Sequence, residues 1–147
     1  EYRAKQVGYE NVIKANLEVF LIRLLRCRQH HEQASTKANS YQQEKLQEFM
    51  DLLESNITIT KQVAAYADLV HLSPFQLNSI TKSLLGKTVA ELIDDQTLLE
   101  AKRYLLATSN QVNQIAFQLG YEDVSYFIRF FKKRTGQTPD AFRKNFR

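Results

Sequence analysis

The chain has 147 residues, 44% of them hydrophobic, with four glycines, two prolines and a formal charge of +4. That length suits one or two small domains with a real core, and so few turn formers exclude a many-stranded β-sandwich, whose hairpins need Gly, Asn or Pro at close intervals. No apolar run reaches the roughly 18 residues of a membrane span and the start lacks a signal-peptide pattern, so a mainly helical, soluble, cytoplasmic chain is expected. The lone Cys27 has no internal disulfide partner and fits a reducing compartment. Glu1 stands where an initiator Met would, which points to a fragment or a processed chain.

From Tyr9 to about His31 the apolar residues fall at helical spacing, at 9, 12, 13, 17, 20, 24 and 27, and Val19, Leu21, Ile22 and Leu25 widen the stripe. So broad an arc suits packing on another domain or on a second copy. Residues 33–43, QASTKANSYQQ, offer almost nothing to bury and read as a connector or a solvated helix end. A second helix is expected over roughly Gln43 to Leu53, with Leu46, Phe49, Met50 and Leu53 at core spacing.

Beyond Ile59 the pattern becomes short helices with clear punctuation. Thr60 is expected to cap a helix striped by Val63, Tyr66, Ala67 and Val70. Ser73 and Pro74 supply an N-cap and a first helical residue, and the helix they open runs through Leu77, Ile80, Thr81 and Leu84 to a stop at Gly86. Val89 to about Ala107 reads as the longest uninterrupted helix of this half, broken by Thr108-Ser109-Asn110. A helix with Val112, Ile115, Ala116 and Leu119 ends at Gly120. Asp123 caps the next, where Phe127, Phe130 and Phe131 are expected in the core and Gly136 is the stop. Pro139 opens a last short helix with Phe142 and Phe146.

A repeat emerges when the chain is slid by about 50 residues. Leu77, Ile80, Lys82, Gly86 and Thr88 fall on Phe127, Phe130, Lys132, Gly136 and Thr138; upstream, Ala67 and Val70 fall on Ala116 and Leu119 at an offset of 49. Each copy is a short helix, a tight turn and a longer helix, the arrangement of a helix-turn-helix whose second helix fits a DNA major groove. The helix between copies is about 28 Å long at about 1.5 Å per residue, and major grooves recur on one DNA face every 34 Å or so. Two reading helices on one duplex are therefore expected; an ordinary helical bundle with a duplicated hairpin is the alternative.

Charge follows the same division. Residues 1–56 hold eight basic and eight acidic side chains, whereas residues 57–147 hold twelve basic against eight acidic and carry the whole excess. Over the last 19 residues Arg129, Lys132, Lys133, Arg134, Arg143, Lys144 and Arg147 face only Asp140. Such a cluster attracts a polyanion, although cations at a helix C-terminus also complement the macrodipole.

Residues 60–147 resemble the DNA-binding domain of the AraC/XylS family of transcriptional regulators. The resemblance rests on Ile115-Ala116-Phe117-Gln118-Leu119-Gly120-Tyr121-Glu122-Asp123-Val124-Ser125-Tyr126-Phe127-Ile128-Arg129-Phe130-Phe131-Lys132-Lys133, then Gly136-Gln137-Thr138-Pro139 and Phe142-Arg143. The first unit departs from the pattern: Thr81 stands where an aromatic is common, His71 where the turn often has Gly, and Leu84-Leu85 replaces a more polar pair.

The resemblance implies an all-α fold of two helix-turn-helix subdomains, homeodomain-like, joined by a long central helix and preceded by a linker or dimerisation helix. Residues 1–42 would be the tail of a regulatory region and 43–147 the DNA-binding domain, with the first unit at about 60–86, the linking helix at about 89–107 and the second unit at about 111–135. In the first recognition helix it points to Phe75, Gln76, Asn78, Ser79 and Lys82, with Asn78 hydrogen bonding to bases, Phe75 touching thymine methyls, and Lys82 and Lys87 holding phosphates. In the second it points to Val124, Ser125, Ile128, Arg129, Lys132 and Lys133. Arg129 would bind guanine or a phosphate, or else pair with Glu122 or Asp123 on the surface; Lys132 and Lys133 would position the domain on phosphates. The implied partners are double-stranded promoter DNA, RNA polymerase, a second copy through the 9–31 helix, and an effector-binding domain upstream of residue 1.

No cofactor is expected. Cys27, His30 and His31 invite a metal, but adjacent histidines do not readily face one ion and no second cluster exists. No phosphate loop, nucleophile elbow or spaced carboxylate pair stands out, so an enzyme is not expected either. The competing function is a helical dimerisation or protein-interaction module whose DNA face has decayed.

Overall fold

The computed structural model describes residues 9–146, with side chains of residues 9–13, 15 and 24–38 outside that description. Among the described residues there are seven helices and no strand: α1 (Tyr9–Asn56), α2 (Val63–Leu69), α3 (Pro74–Leu85), α4 (Val89–Ala107), α5 (Val112–Gln118), α6 (Val124–Thr135) and α7 (Pro139–Asn145). The chain divides into two units, one ending at Gln42 and one beginning at Gln43.

The first difference from expectation is α1. Residues 33–43 are helical, and the two expected helices form one element of 48 residues. Polarity alone does not break a helix. The segment contains no Gly or Pro, and a stretch flanked by helix on both sides needs only propagation, which avoids the unfavourable nucleation step. On α1, Leu17, Val19, Phe20, Leu21 and Ile22 are exposed, while the side chains of Cys27, His30 and His31 lie outside the described residues.

In the second unit, two cores share α4. Phe49, Leu53 and Ile57 meet Tyr66, Ala67 and Val70 of the α2 region, Leu77 of α3, and Val89, Leu92 and Ile93 from the first half of α4. Ala101 and Leu105, from its second half, meet Ile115, Ala116 and Leu119, then Phe127, Phe131 and Phe142. Between these sets lies the buried Thr97, whose hydroxyl donates to Ile93 O at 2.8 Å, so the polar group is satisfied. The second core is the more aromatic. Tyr121, Phe127, Phe131 and Phe142 form a chain with ring centroids 5.3, 6.1 and 5.5 Å apart, whereas the first has an edge-to-face pair, Phe49 with Tyr66 at 5.7 Å.

Local signals set most boundaries. Ser73 and Thr88 each close a capping box, with Gln76 and Glu91 respectively, and Asp123 accepts from Ser125 N at 2.7 Å. Gly86 and Gly136 end α3 and α6 at φ of +70° and +80°. Thr60 is not the cap of α2, as its spacing suggests: Gln62 holds that position, and the Thr60 hydroxyl accepts from Gln62 N at 3.2 Å within the preceding turn. Phe130 is half-buried rather than fully in the core, and Phe146 is exposed beyond the end of α7.

Candidate nucleic-acid interface

The two turns are built alike. After α2, Leu72 N donates to Ala67 O and His71 N to Asp68 O; after α5, Tyr121 N donates to Ala116 O and Gly120 N to Phe117 O, all at 2.9–3.1 Å. Both turns need a residue at positive φ, and they fill it differently: His71 at +57° and Gly120 at +77°. Each turn sends its chain into a second helix that has one buried face and one facing solvent.

On α3 the buried face is Leu77, Ile80 and Thr81. Thr81 is a core residue whose hydroxyl donates to Asn78 O at 3.2 Å. Phe75, Asn78, Ser79 and Lys82 border one concavity with Thr88. Phe75 is 82% exposed, an apolar ring unexplained by packing. The two amides of this helix have structural partners. Asn78 Oδ1 accepts from Val89 N at 3.0 Å and Nδ2 donates to Pro74 O at 3.1 Å, tying α3 to the start of α4. Gln76 Oε1 accepts from Ser73 N at 2.9 Å. The Lys82 side chain is exposed and makes no hydrogen bond or ion pair among the described residues, whereas Lys87 pairs with Asp95 at 2.7 Å.

On α6 Phe127 and Phe131 point inward. Val124 and Ile128 are half-buried against that core, and Ser125, Arg129, Lys132 and Lys133 are exposed. Arg129 is 73% exposed and lies 3.8 Å from Asp123, the pairing foreseen as its alternative. At that length and exposure the pair contributes little and leaves the guanidinium free to move. The side chains of Lys132 and Lys133 have no hydrogen bond or ion pair among the described residues.

The basic cluster near the chain's end is smaller than its count. Arg134 pairs with Asp94, and with Asp95 at 4.0 Å, and the Asp94 hydrogen bond holds its guanidinium above the usual arginine range. Arg143 donates to Leu105 O at 3.1 Å and Asn110 O at 2.6 Å, capping the end of α4. Two cations that sequence reading assigns to a polyanion are thus committed within the fold. Arg147 lies outside the described residues. Among the described residues no group of His, Cys, Asp and Glu could hold a metal ion, and no helix is long and apolar enough to cross a membrane.

Two helix-turn-helix units on one connecting helix, each with an outward face on its second helix, define a double helix-turn-helix DNA-binding domain. A helix-turn-helix domain family matches residues 66–145. The chain is 36% identical over 101 residues to the bifunctional transcriptional activator/DNA repair enzyme AdaA of Bacillus subtilis, covering 66% of this chain and 48% of that protein. It is likewise 36% identical over 92 residues to the arabinose operon regulatory protein of Escherichia coli, covering 63% of this chain and 30% of that one. It therefore spans less than half the length of these relatives. A transcriptional regulator of Chromobacterium violaceum with an AraC-type DNA-binding domain superposes with a TM-score of 0.64 at 27% identity, covering 71% of this chain and 94% of that one. The chain belongs to the AraC/XylS family of transcriptional regulators.

Proposed function

We propose that this chain is the DNA-reading part of a transcription regulator, placing α3 and α6 in successive major grooves on one face of promoter DNA. The observation that carries this is the outward face of α6. Phe127 and Phe131 anchor the helix while Ser125, Arg129, Lys132 and Lys133 stand clear of the core. In this reading Arg129 reads a base, Val124, Ser125 and Ile128 line the groove, and Lys132 and Lys133 hold phosphates.

The first unit reads more weakly by charge and more by shape. Phe75 contacts thymine methyls, Ser79 hydrogen bonds, and Lys82 anchors a phosphate. Asn78 and Gln76 retain only the amide valences that Val89, Pro74 and Ser73 leave free. The reading makes the chain a binding module rather than an enzyme, acting in the cytoplasm. The exposed Leu17, Val19, Phe20, Leu21 and Ile22 on α1 suit a second copy, because they leave a broad apolar surface facing water. RNA polymerase is the further partner, since curated relatives include transcriptional activators, and an effector domain would accompany the chain as the greater length of those relatives suggests.

Binding to duplex DNA across a salt series tests the reading. A DNA reader loses affinity steeply, with log affinity falling linearly against log salt. Absence of binding at low salt would instead indicate the protein-interaction module.

A further inference from the structure

The two cores are joined by more than α4. The segment between α1 and α2, residues 57–62, reaches the turn that follows α5. Lys61 Nζ donates to Leu119 O and to Ile57 O, the latter at 3.4 Å, and lies 4.6 Å from the centre of the Tyr121 ring. Leu119 is the C-cap of α5, where carbonyls lack helical donors and the macrodipole favours a cation. Beside it, Gly120 leaves room for the opposing backbone: a Cβ there would stand 2.4 Å from Thr58 O and 3.3 Å from Lys61 Nζ. An ammonium is a compact, strongly hydrated charge. Half-buried, it needs these acceptors and the ring face to replace water, and burial lowers its pKa.

A single helical strut fixes the distance between two reading heads better than their rotation, since a helix bends and its ends fray. A second attachment away from the strut's axis removes that freedom. Resting on the DNA-reading function above, we infer that Lys61 is a positioning residue: its contact with the Leu119–Tyr121 turn fixes the angle between α3 and α6 and so the half-site spacing that the domain accepts. Rotation matters because each base pair inserted between half-sites turns the second groove by roughly 34° about the duplex.

The test begins with duplexes selected by the wild-type chain from a random library, then remade with one base pair added or removed between half-sites. Wild type is expected to lose about a hundredfold in affinity on either change, the size of a lost set of base contacts. Lys61→Met, which keeps the apolar stem, is expected to narrow that penalty to about tenfold while binding a single half-site as wild type does. Lys61→Gln, which keeps one neutral donor, falls between the two and carries the comparison if Lys61→Met does not fold. An undiminished spacing penalty in both folded variants overturns the positioning role. If wild type selects no sequence at all, the DNA-reading function itself fails, and the positioning role with it.

Discussion

The two helix-turn-helix units share a backbone and differ in what each position must do. At the left-handed turn residue the first unit carries His71 and the second Gly120, although the flanking hydrogen bonds match. Positive φ alone does not demand glycine; His is among the residues that tolerate it. At Gly120 the second requirement is the approach of Thr58 O, which leaves no space for a side chain. Where two units descend to one turn, the residue choice records whether something packs against it.

The same contrast runs through the recognition helices and the caps of the helices that follow them. α3 offers Phe75, Ser79 and a single cation, Lys82, whereas α6 offers Arg129, Lys132 and Lys133. Thr88 and Thr138 stand at equivalent helix starts, and both hydroxyls accept from the backbone three residues on, at 3.2 and 3.3 Å. Only the first has a reciprocal carboxylate: Glu91 Oε2 accepts from Thr88 N and from the Thr88 hydroxyl, each at 2.7 Å, while Ala141 occupies the matching place in the second.

The turns give the largest expected effect. Gly120→Ala combines a positive-φ side chain with a backbone clash and is expected to cost about 3 kcal/mol, against less than about 1 kcal/mol for His71→Ala, in chemical denaturation. Equal costs would break the contrast. Next come the cations. Arg143→Met leaves the Leu105 and Asn110 carbonyls without their charged donor and is expected to cost about 2 kcal/mol with no change in the salt dependence of DNA binding. Lys132→Ala does the reverse, leaving stability alone and reducing the salt slope by about one.

The smallest effect separates the caps by pH. Hydrogen bonds from Thr88 hold the Glu91 carboxyl below the usual range. A carboxyl whose folded pKa is lowered contributes stability above its unfolded pKa and loses it as pH falls through the folded value. Glu91→Gln should therefore flatten the loss of stability below about pH 4.5, measured as melting temperature against pH. An equally steep acid limb in the variant would remove Glu91 from the account.

What the sequence discloses follows from range. The ends of α3 and α6 are legible because Ser73-Pro74, Asp123 and the glycine stops act within one helical turn. The 33–43 run misleads because its composition lacks core residues, whereas helix continuation depends on what flanks it. The site is harder to read where side chains have tertiary duties. Asn78 looks like a base reader on α3 and spends its amide on Val89 and Pro74. Arg134 and Arg143 look like free cations and serve Asp94, Leu105 and Asn110. The Lys61 contact joins residues 58 apart, and no local spacing announces it.

Selection from random DNA by the wild-type chain, Phe75→Ala and Arg129→Ala tests the two-headed reading most directly. Wild type should enrich two sequence blocks about one helical turn, some 10 base pairs, apart, with Phe75→Ala relaxing one block and Arg129→Ala the other. A single block, or relaxation of the same block by both substitutions, would contradict it.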